Sequence, residues 1–179
     1  MQGLTAVSLI RMGHTVQKSD WIVIHAAVGS SGLIAAQLTH HLGPHVIGPV
    51  STEEKVALIK AAGAEHVVLI KNGHGALEKM VHEVTNGQGV HTVLDSIGQE
   101  SFESSLNIFR RMGTMALCDN YKYTRSRFDG LYGELAEYLA KGQLKVHVHN
   151  KVFALDEAQQ ARLDLEDCKS PGKLLIKIA

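Results

Sequence analysis

Trp21-Ile22-Val23-Ile24-His25-Ala26-Ala27-Val28-Gly29-Ser30-Ser31-Gly32 runs directly into the apolar-periodic Leu33-Ile34-Ala35-Ala36-Gln37-Leu38. A short buried strand, a glycine turn and a helix follow one another here, an arrangement on which a dinucleotide can sit. Gly29 would let the backbone approach a pyrophosphate, and Gly32 would let the helix pack close to the strand. The free N–H groups at the helix start would receive the phosphate charge. The spacing departs from G-x-G-x-x-G at its first position, where Ala26 stands in place of the tight-turn glycine.

Outward from this segment, strands alternate with helices. A helix is expected over Leu4–Met12, then the strand Trp21–Ala27 and the helix Ser31–Leu42, stopped by Gly43. His45–Ser51 reads as a second strand, and Thr52-Glu53-Glu54 opens a helix through Ala61 with acidic residues where the macrodipole favours them. A third strand is expected at His66–Ile70, a helix at Gly75–Thr85, a fourth strand at Thr92–Gly98, a helix at Glu100–Phe109 and a fifth strand at Gly113–Cys118. Strands separated by helices of this length pair in parallel, and right-handed crossovers place helices on both faces. The expected fold class is therefore α/β, a doubly wound parallel sheet. Beyond the basic stretch Tyr121–Arg127 come a helix at Phe128–Lys141, a strand at Val146–Leu155, a helix at Asp156–Glu166 and a last strand at Lys173–Ile178.

With 179 residues the chain suits one domain with a real core, or one domain and a fragment of another. Its 18 basic and 18 acidic residues cancel, and outside the short run Tyr121–Arg127 no stretch concentrates Lys and Arg with aromatic residues, so the footprint of a nucleic-acid binder is missing. No apolar run reaches the ~20 residues of a membrane span, and the N-terminus lacks a signal-peptide layout. A soluble, cytoplasmic protein without a membrane or nucleic-acid partner is expected. Cys118 and Cys168 form no C-x-x-C pair, which points to free thiols rather than a disulfide framework or a cysteine zinc site.

The residues that can carry chemistry lie at the expected strand ends. The second strand ends in Val50-Ser51 with no carboxylate at its tip, where a ribose 2′-hydroxyl would need one. Ser51, Thr52 and Lys55, one helical turn on, offer hydroxyls and an ammonium instead, which suit a 2′-phosphate and favour NADPH. A solvated helix start, with Glu53, Glu54 and Lys55 merely on the surface, is the alternative. Asp95-Ser96-Ile97-Gly98 and Cys118-Asp119-Asn120 end the fourth and fifth strands and would border the reactive end of a bound cofactor. Alternatively, Asp95 is a helix cap and Gly98 a turn residue. There is no G-x-S-x-G, no Tyr is followed four residues later by Lys, and the 11 histidines show no metal-ligand spacing.

Several ordered motifs, His25-Ala26-Ala27-x-Gly29-x-x-Gly32, Val50-Ser51-Thr52-Glu53-Glu54-Lys55, Ala62-Gly63-Ala64, Asn86-Gly87-x-Gly89-Val90, Asp95-Ser96-x-Gly98 and Pro171-Gly172-Lys173, resemble the quinone oxidoreductases of the medium-chain dehydrogenase/reductase superfamily. The resemblance covers nearly the whole chain and implies a Rossmann-like dinucleotide-binding domain. It also implies zinc-independent, NADPH-dependent reduction of quinones or other α,β-unsaturated carbonyls, with no side chain acting as catalytic acid or base. By it, Ala26, Gly29 and Gly32, with Ser30 and Ser31 between the glycines, form the cofactor loop. Ser51 and Lys55 hold the 2′-phosphate, and Ser96, Gly98 and Asn120 lie on the nicotinamide side. Ile70 stands where the family often has a tyrosine, and Asp119 where it has glycine.

The resemblance further implies a dinucleotide-binding domain over residues 1–145 and, over 146–179, a remnant of the segment that returns to a catalytic domain preceding this one in family members. The family also inserts a loop and a strand after Asn120, so the family dimer should be perturbed. A non-catalytic NADP(H)-binding module or a truncated form, and the enoyl-reductase domain of a larger synthase, stay open as alternatives.

Overall fold

The computed structural model of the protein describes residues 1–70, 73, 75–117 and 124–178, with Met12 described by its backbone alone. The chain runs α1 (Gln2–Met12), β1 (Trp21–Ile24), α2 (Ser30–Leu42), β2 (His45–Val50), α3 (Glu54–Ala61), β3 (His66–Leu69), α4 (Gly75–Val84), β4 (Val90–Asp95), α5 (Gln99–Asn107), β5 (Phe109–Leu117) and α6 (Arg125–Ala140). It continues through β6 (Val148–Ala154), a single 3₁₀ turn at Leu155–Glu157, α7 (Ala158–Glu166) and β7 (Lys173–Lys177). The first five strands form one parallel sheet in the order β3-β2-β1-β4-β5. The chain reverses its direction of winding at β1, which leaves a crevice outside the carboxyl ends of β1 and β4.

Alternation along the strands feeds two cores. Ile22, Ile24, Val46, Val50 and Leu94 face a cluster built with α1, α2 and α3, while Val23, Ile47, Val68 and Val93 face Leu77 and Val81 of α4. Both faces are covered, as a doubly wound sheet requires. Each fully buried aliphatic side chain contributes about 1.5–3 kcal/mol of transfer free energy.

Strand ends differ from the sequence reading. β1 stops at Ile24 rather than Ala27, because Ala26 turns the chain with a φ of 47°. β4 stops at Asp95 rather than Gly98, because the Asp95 carboxylate accepts the N–H groups of Ile97 and Gly98 and bends the backbone away from the ladder. β5 begins at Phe109 rather than Gly113, and its pairing with β4 is interrupted at once. Between the pairs Val90/Phe109 and Thr92/Thr114, His91 alone stands opposite Arg110 to Gly113, a bulge that carries Met112 at a φ of 66°.

The last two strands pair in parallel as a separate ribbon. The link from α7 into β7 returns to the main sheet: the Gly172 N–H donates to the Val28 carbonyl at 2.9 Å, and Gly29 and Gly172 form a parallel bridge.

At the amino end of the sheet the buried Asp20 carboxylate accepts the Gln17 N–H at 2.7 Å and pairs with His14 Nε2 at 2.8 Å and His91 Nε2 at 3.4 Å. Burial lowers the His91 pKa below its ordinary 6.5; the Asp20 charge opposes this and the Arg110 charge adds to it. The unfolded chain therefore takes up this proton more readily than the folded one. Stability from this group is complete above pH 6.5 and falls as pH drops through and below that value. Urea midpoints measured between neutral and mildly acidic pH should decline, and His91→Gln should flatten part of that decline.

Candidate active site

The carboxyl ends of β1 and β4 lie side by side, with Ile24 opposite Leu94 and the His25 N–H donating to the Leu94 carbonyl at 2.9 Å. The chain then turns tightly, the Gly29 N–H reaching the Ala26 carbonyl at 2.9 Å. Ala26 occupies the left-handed conformation that a glycine would take at this position, at a cost of order 1 kcal/mol for its Cβ. Helix α2 begins at once. Its cap Gly29 is extended (φ −68°, ψ 165°) and supplies no side chain, so the first-turn N–H groups remain available to a ligand.

The two glycines do different work. A Cβ at Gly32 would lie 2.4 Å from the Ala26 carbonyl oxygen and 2.8 Å from Ala27 Cα, so the helix can approach the turn only without one. A Cβ at Gly29 would meet only the Ala26 oxygen, at 3.2 Å. Gly32 serves the packing; Gly29 keeps the floor of the crevice low.

Two adjoining cavities follow the crevice. One of about 230 Å³ is lined by His25, Ala26, Gly29 to Gly32 and Ser96. The other, of about 280 Å³, is lined by Ser51, Lys55, Ile70, Ile97 and Glu100. His25, Ala26 and Gly29 border both, as do Leu165 and Ser170 from the chain's far end, so the two make one elongated cleft across the glycine turn. Lys55 Nζ donates to Ser51 Oγ and to the Cys168 carbonyl, each at 2.9 Å. The expected pair Ser51 and Lys55 is thus brought together at the tip of β2.

Under the other end sits Asp95, 1% exposed. Its carboxylate accepts the Ile97 N–H at 2.8 Å, the Gly98 N–H at 3.0 Å and the Ser101 hydroxyl at 2.7 Å, with Ser105 Oγ at 3.4 Å. Ser105 Oγ lies 3.1 Å from His25 Nε2, which ties the ends of β1 and β4 to α5. Burial pushes the carboxyl pKa up, but the bonds from Ser101, Gly98 and Ile97 and the neighbouring His25 outweigh it and hold the group below the usual carboxylate range. Asp95 thus fixes the loop that leads into α5, whose cap is Gly98, and that places Ser96 on one cavity and Ile97 on the other. Gly98, at a φ of 93°, serves the turn and lines neither cavity. Asn120 lies outside the described residues.

Leu165, Ser170, Pro171 and Gly172 also border the cleft, although no local sequence signal makes them site residues. The run Pro171-Gly172-Lys173 was the only hint, and it says nothing of where the segment docks. The cleft can therefore take an elongated ligand with phosphate over the start of α2 and a further anionic group beside Lys55. Among the described residues no three His, Cys, Asp or Glu side chains converge to hold a metal ion, and no helix is long and apolar enough to cross a membrane.

Residues 31–130 match the family model described as zinc-binding dehydrogenase. A probable quinone oxidoreductase of Schizosaccharomyces pombe is 31% identical over 203 residues, covering 98% of this chain and 60% of that protein. A 2-haloacrylate reductase of Burkholderia is 39% identical over 116 residues, covering 65% of this chain and 34% of that one. Among solved structures, quinone oxidoreductase of Escherichia coli complexed with NADPH superposes with a TM-score of 0.88 at 28% identity, over 99% of this chain and 63% of that chain. The chain thus spans about three fifths of the length of the quinone oxidoreductases it matches.

Proposed function

This chain belongs to the zinc-binding dehydrogenase family and is similar to the quinone oxidoreductases of the medium-chain dehydrogenase/reductase superfamily, and on that premise we propose that it is a nucleotide-binding part that binds NADPH and serves hydride transfer to a quinone or another α,β-unsaturated carbonyl in the cytoplasm. One observation carries the reading: a single cleft joins the glycine turn to a β2 tip bearing Ser51 and Lys55. The naming of relatives as quinone oxidoreductase and 2-haloacrylate reductase, and the NADPH held by the Escherichia coli enzyme, support it.

The residues present fit the cofactor. Gly29, with the N–H groups of Ser30, Ser31 and Gly32, would hold the pyrophosphate, and Ala26 gives the turn its shape. Ser51 and Lys55 would hold the 2′-phosphate, Lys55 exchanging the neutral Cys168 carbonyl for a charged acceptor. Ser96 and Gly98, on the loop that Asp95 fixes, and Asn120 are assigned to the nicotinamide side. When bound, NADPH would supply a hydride; this chain's part would be to orient it, the proton that completes the reduction coming from solvent rather than from a catalytic acid of this chain. Zinc is different: the described residues offer no cluster that fits it. In this reading residues 1–145 form the dinucleotide-binding domain and 146–179 a separate C-terminal segment.

Nucleotide fluorescence titration and the loss of NADPH absorbance with a simple quinone test the proposal. Saturable NADPH binding with quinone-dependent oxidation is expected. Binding without turnover would reduce the chain to a nucleotide-binding module, and no binding would remove the reading. Lys55→Ala should weaken NADPH by on the order of 1–3 kcal/mol while leaving NADH nearly unchanged, the signature of a lost charge-assisted contact to the 2′-phosphate. Equal losses for both would take Lys55 out of that role.

A further inference from the structure

The opposite end of the sheet carries a second depression, of about 360 Å³, lined by His14, His91, Arg110, Arg111 and Met112. It lies at the amino ends of β4 and β5, whereas the cleft lies at the carboxyl ends of β1 and β4. Its walls come from the bulge, which loops Arg110 to Gly113 out of the ladder opposite His91. Met112 is 92% exposed at its left-handed φ, so the bulge buries no apolar side chain there in return for the strain.

The polar groups of this depression are short of acceptors. The Trp21 N–H donates to His91 Nδ1 at 3.0 Å, so the neutral ring carries its proton on Nε2 and presents a donor there. Arg110 Nη1 is in contact with that same Nε2. Two donors therefore meet there, and the acceptor within reach of Nε2 is Asp20 Oδ1 at 3.4 Å. The one carboxylate at hand, Asp20, is 4% exposed and already engaged by Gln17, His14 and His91. Among the described residues neither Arg110 nor Arg111 has a carboxylate within ion-pair distance.

We propose that this depression binds a small phosphate-class dianion, either inorganic phosphate or the phosphoryl end of a phosphomonoester. Two guanidinium groups alone supply more donors than the two oxygens of a carboxylate can take up, whereas a phosphate offers enough oxygens and two charges. An anion between Arg110 and His91 would also separate the two facing donors. The volume exceeds what a free phosphate fills, which leaves room for the organic part of an ester.

The test follows the imidazole C2–H resonances of His14 and His91 by NMR at fixed pH, in the full chain, as inorganic phosphate replaces chloride at constant ionic strength. Saturable shifts of both resonances are expected. Arg110→Gln combined with Arg111→Gln should weaken the phosphate response about tenfold or more. Arg111→Lys, which keeps the charge and loses the fork, should fall between, with thermal melting to establish that each variant is folded. Lys55→Ala should leave these shifts intact, and the double variant should bind NADPH as the parent does, which separates this site from the cleft. Tighter binding of glycerol phosphate than of inorganic phosphate would identify an ester as the ligand class, and equal binding the free ion. Shifts that are absent, that fail to saturate, or that survive the double substitution would overturn the proposal.

Discussion

Gly29→Val is expected to abolish NADPH binding while leaving the protein folded. The position is extended, at φ −68° and ψ 165°, which a β-branched residue adopts freely. Its Cβ would meet a single atom, the Ala26 oxygen at 3.2 Å, which has to yield by only a few tenths of an ångström. The two methyl groups would instead rise into the cavities on either side of the turn, where the pyrophosphate is assigned. A loss of at least a hundredfold in affinity, about 2.7 kcal/mol, should accompany a nearly unchanged circular dichroism spectrum and melting curve. Unimpaired binding would mean that the nucleotide does not cross Gly29.

At Gly32 the outcome should reverse. Even alanine places a Cβ 2.4 Å from one backbone atom and within 3 Å of two more, none of which is a flexible side-chain end. Helix α2 must then move off the turn, carrying Leu33, Ala35 and Ala36 out of their packing. A destabilisation on the order of 3 kcal/mol is expected for Gly32→Ala, read as a fall in urea midpoint at unchanged slope. A midpoint equal to that of the parent would show that the helix has room which the static contacts deny it.

These two glycines also show what is legible in the sequence. The turn they make was readable because turn chemistry is local: three residues of spacing, a run of β-branched residues before and an apolar period after are enough to place it. The pair Ser51 and Lys55 was readable for the same reason, since only four residues separate the tip of β2 from the first turn of α3. The ends of β1 and β4 were not, because apolar runs continue past the point where Ala26 and Asp95 bend the chain. Asp95 is not the helix cap, which is Gly98, and lines neither cavity; its carboxylate instead holds the loop whose Ser96 and Ile97 do. The outer wall of the cleft was illegible altogether. Nothing near Leu165, Ser170 or Gly172 announces a partner in the glycine turn, and only the folded chain brings these distant positions together.

That distant pairing bears on how the molecule is made. The glycine turn and helix α2 can form from neighbouring residues early in synthesis, but the bridge from Gly29 to Gly172 joins segments separated by most of the chain. Contacts of such long sequence separation carry the loop-closure entropy and form late. A ribosome releasing residues in order exposes the floor of the cleft well before its rim exists. The cleft is therefore completed after the sheet beneath it, and a nascent chain halted short of Leu165 would hold a finished glycine turn that is still open to solvent along one side.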